Sequence, residues 1–277
     1  MSPFNLYNNF PLLRFDQPWS VEKFSGKGEL DKLVTFDELL LEKVGRGEIG
    51  PCLYINSTPR CLVATVRESR MSNFEAAQQV LAAQGWPVVV RCTGGSCVPQ
   101  GPGVINLAVI HPKVKGWHLE DGYQMLCALL REFLAEYDLD ATTGEVPGSF
   151  CDGNYNLQVA GQKLVGTAQR WAGGSRESAA VLAHACLLVD MDLVEATEKI
   201  NSLYRLCDNP QQFLPQACTT LRDCLGAMNS QTTEAFVQEV EQRLLEDQEG
   251  HVGACVARAA TGGGVNLGKH AEQENHF

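Results

Sequence analysis

The chain has 277 residues, of which 44% are hydrophobic and 20% charged, and its formal net charge is −11 at pH 7. This length suffices to bury a sizeable core, as one large domain or as one domain with a small appendage. The negative charge disfavours non-specific attraction to nucleic acid or to an anionic membrane, so we expect neither as a partner.

The start of the chain and its cysteines indicate a cytoplasmic protein. MSPFNLYNNFPLLRF lacks a basic region followed by an apolar stretch, which argues against a signal peptide. The longest apolar run, AAVLAHACLLV, is too short and too broken to span a bilayer. The eleven cysteines include no Cys-x-x-Cys pair, so we expect reduced thiols, with neither a disulfide framework nor a metal site.

Helices and strands interleave in the first half of the chain. Residues 29–45 have apolar residues at helical spacing and end at Gly45, which predicts an amphipathic helix. CLYIN and CLVATV are short β-rich runs separated by Ser-Thr-Pro. NFEAAQQVLAAQG predicts a helix capped by Asn73, WPVVVRCT and GVINLAVIHP predict strands, and residues 119–137 predict a long helix.

The second half begins with a hairpin and ends with helices. SAAVLAHACLLVDM is ambiguous between strand and helix, and the pattern is helical from Asp192 onward. Interleaved strands and helices predict an α/β or α+β fold, with a mixed β-sheet flanked by helices. We expect one domain over residues 1–250, whose residues 192–250 form a helical C-terminal part, and a flexible tail over 251–277.

A glycine-rich loop lies in the segment RCTGGSCVPQGPGVINLAVI. Gly94 and Gly95 follow a strand and precede a Gly-Pro-Gly turn. Glycines at such a place expose backbone N–H groups to a carbonyl or a phosphate, although a long β-hairpin with a mobile tip gives the same pattern. Arg91, at the end of the first strand, is suited to orienting an anionic or carbonyl group, or is a surface arginine.

The segment SFCDGNYNLQVAGQKLVGTAQRW contains Cys151 and Lys163 around an Ala-Gly-Gln turn. A lysine beside a turn is typical of a solvated charge, whereas Gly166 inside a strand indicates close approach of a ligand or another backbone. In a regular hairpin Lys163 would face Gln158, and Cys151 would lie ~20 Å away. The two side chains can act together only if residues 147–154, which are rich in turn formers, curl back.

Three motifs in the right order resemble one family. GQKLVGTAQRW closely resembles the Gly-x-Lys-[Ile/Leu/Val]-x-Gly-[Thr/Ser]-Ala-Gln stretch of the lipoate–protein ligase and octanoyltransferase family, which is related to biotin–protein ligases. RCTGGSCV and the following Asn-Leu strand are similar to its Arg-x-x-Gly-Gly ligand loop, and SFCDGNYNL is similar to its cysteine-dependent branch. The resemblance covers roughly residues 30 to 245 and implies the biotin/lipoate protein ligase-like catalytic fold.

The resemblance implies a thioester mechanism without a cofactor. Cys151 would take an octanoyl or lipoyl group from a carrier protein, and a lysine of a lipoyl-carrier domain would receive it. Such acceptors are the glycine cleavage H protein or a 2-oxoacid dehydrogenase acyltransferase subunit. Lys163 would lower the pKa of Cys151 and bind the carbonyl oxygen. The implied substrate-binding residues are Arg91, Gly94, Gly95, Asn106, Gly166, Thr167 and Ala168.

Three alternatives remain open from the sequence. In an ATP-dependent lipoate–protein ligase, which needs ATP and Mg, Lys163 would contact an acyl-adenylate and Cys151 would be incidental. Cys97 and the Pro99-Gln100 pair replace residues common in such ligases, which weakens this reading. A non-catalytic protein that binds acyl chains or lipoyl domains is the second alternative. Cys97 as the nucleophile is the third, ranked below Cys151 because GGSCVPQ supplies no cation.

Overall fold

A computed structural model describes residues 10, 13, 19–24, 30–172, 179–226 and 231–252 of the chain. Most of the predicted flexible tail, from residue 253 onward, lies outside the described residues. Within the described part, none of the helices combines the length and the apolar character needed to cross a bilayer.

The strands and helices alternate along the chain, as the sequence predicts. The strands are β1 (Ser20–Phe24), β2 (Cys52–Asn56), β3 (Cys61–Thr65), β4 (Val88–Arg91), β5 (Val98–Gln100), β6 (Val104–Pro112), β7 (Thr142–Thr143), β8 (Leu157–Val159), β9 (Gln162–Ala172) and β10 (Ala180–Leu188). The α-helices are α1 (Leu30–Val34), α2 (Phe36–Gly45), α3 (Phe74–Ala83), α4 (Leu119–Ala135), α5 (Leu193–Leu206), α6 (Leu221–Leu225) and α7 (Thr233–Val252).

The strands form two sheets. The larger has the order β1-β2-β6-β10-β9-β8-β7, in which β1 runs parallel to β2 and the other neighbours are antiparallel. The smaller has the order β4-β3-β5, with β4 parallel and β5 antiparallel to β3. This mixed arrangement with flanking helices confirms the predicted fold class.

Apolar side chains from both sheets and from the helices build the core. The main cluster joins the large sheet to α4 and α7, and it includes Leu107, Phe133 and Val240. A second cluster packs α3 and α5 against the small sheet, and a third packs α2 against β2, β6 and β10. Residues of both sheets face each other across the space that contains the candidate site.

The structure decides or corrects several local expectations. The ambiguous segment after residue 179 is strand β10, because β6 and β9 pair with it on both sides. Strands β2 and β3 do not form a hairpin, and neither do β4 and β6, since in each pair the strands belong to different sheets. Asn73 has φ 58° and makes no side-chain cap; its amide instead donates to Asp208 Oδ2 at 2.9 Å.

Candidate active site

The hairpin that carries Lys163 has the predicted turn. Ala160 and Gly161 lie between β8 and β9 with φ of 50° and 81°, a left-handed pair that suits a two-residue hairpin. Lys163 pairs with Gln158 in the backbone register, as the regular hairpin predicts. Its side chain is only 1% exposed, however, so the interpretation as a solvated charge is wrong.

The segment before β8 leaves the sheet and curls back toward the turn. Val146 N–H donates to Asp152 Oδ1 at 2.8 Å, and Ser149 N–H donates to the Val146 carbonyl at 3.0 Å. Cys151 lies inside this curl with φ 49°, a left-handed conformation that costs a non-glycine residue about 1–2 kcal/mol. Other contacts must therefore hold the cysteine in place.

Lys163 supplies that support through two hydrogen bonds to the backbone. Its Nζ donates to the carbonyls of Phe150 at 2.6 Å and Cys151 at 2.7 Å. Burial lowers the pKa of the Lys163 ammonium, and the nearby Cys151 thiol acts in the opposite direction. A Cβ at Gly166 would lie 3.1 Å from this Nζ, so the strand glycine makes room for the lysine.

The Cys151 sulfur faces the glycine-rich loop. Ser96 N–H donates to Sγ at 3.3 Å and Arg91 Nη2 donates to it at 3.6 Å. In return, Cys151 N–H donates to Ser96 Oγ at 2.9 Å. Gly95 has φ 100°, and a Cβ there would overlap Sγ, so only glycine allows the loop to lie this close.

This environment lowers the pKa of the Cys151 thiol below its usual value near 9. Burial by itself raises the pKa, because it disfavours the thiolate. The positive charges of Arg91 and Lys163, together with the hydrogen bond from Ser96 N–H, outweigh that effect. The site thus combines the left-handed backbone of Cys151 with a stabilised thiolate, which is the nucleophilic form of cysteine.

Arg91 is held in place by backbone carbonyls of the glycine-rich loop. Its Nη2 also donates to the carbonyls of Gly94 and Ser96, at 3.1 Å each. The sequence suggested a role toward a substrate anion or carbonyl, whereas in the structure the guanidinium contacts the Cys151 sulfur. Among the described residues, the cation that hydrogen-bonds Sγ is therefore Arg91, at the end of β4, while Lys163 binds the cysteine's backbone carbonyl.

A cavity, partly open to solvent, lies between the two sheets and the start of α2. Of the sequence-predicted residues, those that line it are Arg91, Asn106, Cys151, Gly166, Thr167 and Ala168. Its apolar lining is Val34, Val63, Val98, Ala108 and Ala185. The other predicted residues, Gly94, Gly95 and Lys163, do not line the cavity. Gly94 contacts the cavity residue Arg91, and both Gly95 and Lys163 contact Cys151.

The sequence did not point to three further sets of residues at the site. Ser96 makes two hydrogen bonds with Cys151, although a serine after two glycines carries no distinctive signal. His184 Nδ1 lies 2.9 Å from Asp37 Oδ2, and both residues line the cavity. Cys186 lies two residues after His184 on β10, and burial raises its pKa to about 11. The alternation of strand β10 places both on one face, but only after the segment is known to be a strand.

Polar side chains also line the cavity. Asn106 and Gln100 exchange two amide hydrogen bonds of 2.8 and 2.9 Å, and Gln100 Nε2 also donates to Cys186 Sγ at 3.5 Å. Thr167 Oγ1 donates to the Tyr155 carbonyl at 2.9 Å. Within the described residues, no group of three or more His, Cys, Asp or Glu side chains could hold a metal ion.

Cys97 lies in the same loop but in a different environment. It is fully buried and does not line the cavity. Burial, and then the negative charge of Glu68, raise its pKa well above 9. These properties leave Cys151 as the thiol suited to nucleophilic attack.

Comparison with known proteins identifies the family. Residues 32–247 match the model of the lipoyl protein ligase A/B catalytic domain. The octanoyl-[GcvH]:protein N-octanoyltransferase of Kyrpidia tusciae is 31% identical over 73% of this chain and 72% of that protein. A protein of the same name from Geobacillus kaustophilus is 31% identical over 77% of this chain and 80% of its own.

The same fold occurs in a solved structure. Lipoate-protein ligase A bound with ATP superimposes with a TM-score of 0.61 over 86% of both chains, at 17% identity. Taken with the sequence matches, these similarities show that the chain belongs to the lipoyl protein ligase A/B catalytic domain family.

Proposed function

We propose that the chain is an octanoyl or lipoyl transferase that carries the acyl group on Cys151 as a thioester. The observation that carries the proposal is the Cys151 sulfur at the cavity wall, hydrogen-bonded by Ser96 N–H and by Arg91. The activity named for the Kyrpidia and Geobacillus relatives, transfer of an octanoyl group between proteins, supports the same class of reaction.

In the first half-reaction, the Cys151 thiolate attacks the carbonyl carbon of the acylated carrier and forms a C–S bond. The carbonyl oxygen becomes negatively charged, and the donors next to Sγ, Ser96 N–H and Arg91, are placed to stabilise it. The bond from the carbonyl carbon to the carrier's nitrogen then breaks, and the leaving amine takes a proton from solvent. The products are the Cys151 thioester and the free carrier.

In the second half-reaction, the neutral amine of an acceptor lysine attacks the thioester. The C–N bond forms, the C–S bond breaks, and the Cys151 thiolate is restored while the amine's proton goes to solvent. Lys163 supports both steps by fixing the backbone of Phe150 and Cys151. Because Lys163 does not line the cavity, we assign it this support of the cysteine backbone and no contact with the acyl oxygen.

The cavity is the proposed place for the acyl chain. Its apolar side chains surround a space next to the nucleophile, and burying about six methylenes of an octanoyl chain would stabilise the complex by roughly 5 kcal/mol. We assign binding of the acyl group to Asn106, Gly166, Thr167 and Ala168, which line the cavity together with Arg91. Gly94 and Gly95 contribute through the loop backbone.

The proposal includes partners, cofactors and location. The donor is an octanoylated or lipoylated carrier protein, which the octanoyl-[GcvH] in the relatives' names supports. The acceptor is a lipoyl-domain protein such as the glycine cleavage H protein or a 2-oxoacid dehydrogenase acyltransferase subunit. No metal, ATP or other cofactor takes part. Residues 1–250 act as one catalytic domain with 192–250 as its helical part. The ten free cysteines of the described part suit the cytoplasm.

Intact-mass analysis with an octanoylated H protein, with and without Mg-ATP, tests the proposal. We expect the chain to gain one octanoyl mass without ATP, and hydroxylamine to remove it, because hydroxylamine cleaves thioesters. The adduct should map to the peptide that contains Cys151. Cys151→Ala should form no adduct and transfer nothing, while Cys186→Ala, which removes another thiol of the same cavity, should still form it.

Three other outcomes would contradict the proposal. Transfer that requires Mg-ATP and survives in Cys151→Ala would indicate the ATP-dependent ligase. Binding of the acylated carrier without adduct or transfer would indicate a non-catalytic binding protein. An adduct on Cys97 would place the nucleophile on the other cysteine of the site.

A further inference from the structure

Glu68 is a buried acid outside the cavity that has an unusual set of partners. It begins the short 3₁₀ helix Glu68–Arg70 and is 1% exposed. One carboxylate oxygen accepts from Thr65 N–H at 2.8 Å and from Thr65 Oγ1 at 3.2 Å. The other accepts from Cys97 N–H at 2.7 Å and from the Tyr204 hydroxyl. All four partners donate, which is the set that a carboxylate satisfies.

The bond to Cys97 connects Glu68 to the candidate active site. Cys97 directly follows Ser96, so the carboxylate fixes the peptide unit adjacent to the one that faces the nucleophile. The Ser96 N–H donates to Cys151 Sγ, and the Ser96 carbonyl accepts from Arg91. A shift of this loop would therefore move both donors away from the sulfur.

We propose that Glu68 is a positioning residue of the Cys151 site: it holds the Ser96–Cys97 backbone so that Ser96 N–H and Arg91 point at the sulfur. Glu68 does not line the cavity and acts only through the loop. The catalytic importance of this role rests on the proposed function. The geometric role does not, because the state of the Cys151 thiol can be measured without any acyl donor.

The variant Glu68→Gln tests the role with little change of volume. One oxygen becomes an amide nitrogen that cannot accept, so either the Cys97 or the Thr65 backbone bond is lost. The measurement is the rate of Cys151 alkylation by iodoacetamide as a function of pH, read by peptide mass. We expect the apparent pKa of Cys151 to rise by about one unit, and alkylation at pH 7 to slow about tenfold, through loss of hydrogen bonding to the thiolate.

Two further variants make the result decisive. Glu195→Gln removes the same charge at a partly exposed residue of α5, whose carboxylate accepts a hydrogen bond from Trp86. It should leave the pH dependence of Cys151 alkylation unchanged. Tyr204→Phe removes one hydroxyl donor and keeps the carboxylate, so it should raise the pKa in the same direction by less. If Glu68→Gln does not fold, Tyr204→Phe decides the question.

A wild-type Cys151 profile in folded Glu68→Gln, or in Tyr204→Phe when the first variant is unfolded, would overturn the proposal. In that case Glu68 would serve stability alone. A shifted profile combined with a wild-type protein that transfers no acyl group would uphold the positioning role and contradict the proposed function. If transfer does occur, we expect Glu68→Gln to lower kcat while leaving KM for the acylated carrier unchanged.

Discussion

Two loops meet at the site, and each contains a cysteine held by a buried ionisable residue. The carboxylate of Glu68 accepts from the backbone N–H of Cys97, whereas the ammonium of Lys163 donates to the backbone carbonyl of Cys151. The two cysteines therefore sit beside charges of opposite sign. Glu68 raises the pKa of Cys97 beyond the effect of burial, while Arg91 and Lys163 together overcome the effect of burial at Cys151.

This comparison shows that the sign of the anchoring residue helps to decide which thiol can react. Both cysteines are buried, and Arg91 lowers the pKa of each. The two cysteines differ in the other nearby charge, which is the positive Lys163 for Cys151 and the negative Glu68 for Cys97. They also differ in access, since Cys151 lines the cavity and Cys97 does not. Four predictions test this difference between the two cysteines.

The largest expected effect is the difference in thiol reactivity. At pH 7, iodoacetamide should modify Cys151 while Cys97 stays unmodified over the same time, because the pKa of Cys151 is lowered, that of Cys97 is raised, and Cys97 does not line the cavity. Since the Cys151 pKa is lowered, its fast labelling should persist below pH 9 and disappear as the pH falls through the folded pKa. Peptide mass spectrometry over a pH series measures both rates, and equal labelling would show that the two environments do not differ.

Next, Lys163→Ala should reduce acyl transfer by about 10²–10³-fold, because a nucleophile displaced by about 1 Å loses about 10²-fold and loss of the positive charge raises the pKa of Cys151. The carbonyls of Phe150 and Cys151 would each lose the hydrogen bond from Lys163, so the free energy of unfolding should also fall by about 1–3 kcal/mol. Steady-state transfer assays and urea unfolding measure the two effects.

The conservative control for that residue is Lys163→Arg. The ammonium of Lys163 already lies against Gly166, since a Cβ added to this glycine would be only 3.1 Å from Nζ. The larger planar guanidinium does not fit in this space, so the arginine variant should also lose transfer activity. Full transfer activity in either variant would remove Lys163 from the mechanism.

Gly95→Ala should lower transfer by about 10²-fold, as expected when reacting groups are displaced by about 1 Å. The added methyl group would overlap the Cys151 sulfur, and φ 100° is unfavourable for alanine. Gly153→Ala, in the neighbouring cysteine loop, is the matched control, because a Cβ there meets nothing within 4 Å. Similar activities of the two variants in the transfer assay would mean that the loops are not in contact.

The smallest effect is expected for Arg91→Met. Losing its positive charge and its hydrogen bond should raise the pKa of Cys151 by about one unit and slow alkylation at pH 7 about tenfold. Arg60→Met, which removes an arginine that stacks on Trp86, should have no such effect. If Arg91→Met keeps the wild-type alkylation profile, Lys163 and Ser96 alone would account for the lowered pKa.

Much of the fold could be predicted because hairpin turns and amphipathic helices are encoded in short segments of the sequence. The Ala160-Gly161 turn has the left-handed φ values that such a hairpin needs, and turn formers around Cys151 allow the curl. The prediction that Lys163 is a solvated charge was wrong because it relied on what lysines beside turns usually do. This lysine is buried and fills the space that Gly166 leaves without a side chain. Strand β10 was ambiguous because a strand buried on both sides shows no alternation.

The class of fold, the hairpin and the motifs that identify the family could be predicted from the sequence, since these depend on spacing within short segments. The groups that surround the sulfur of Cys151 could not be predicted in this way. Ser96 and Arg91 are 55 and 60 residues away from it in the chain, and Tyr204 is 136 residues away from Glu68. Contacts at such separations depend on how the two sheets pack. The pKa of each thiol is therefore a property of the assembled site, because charge and burial act through space and not along the chain.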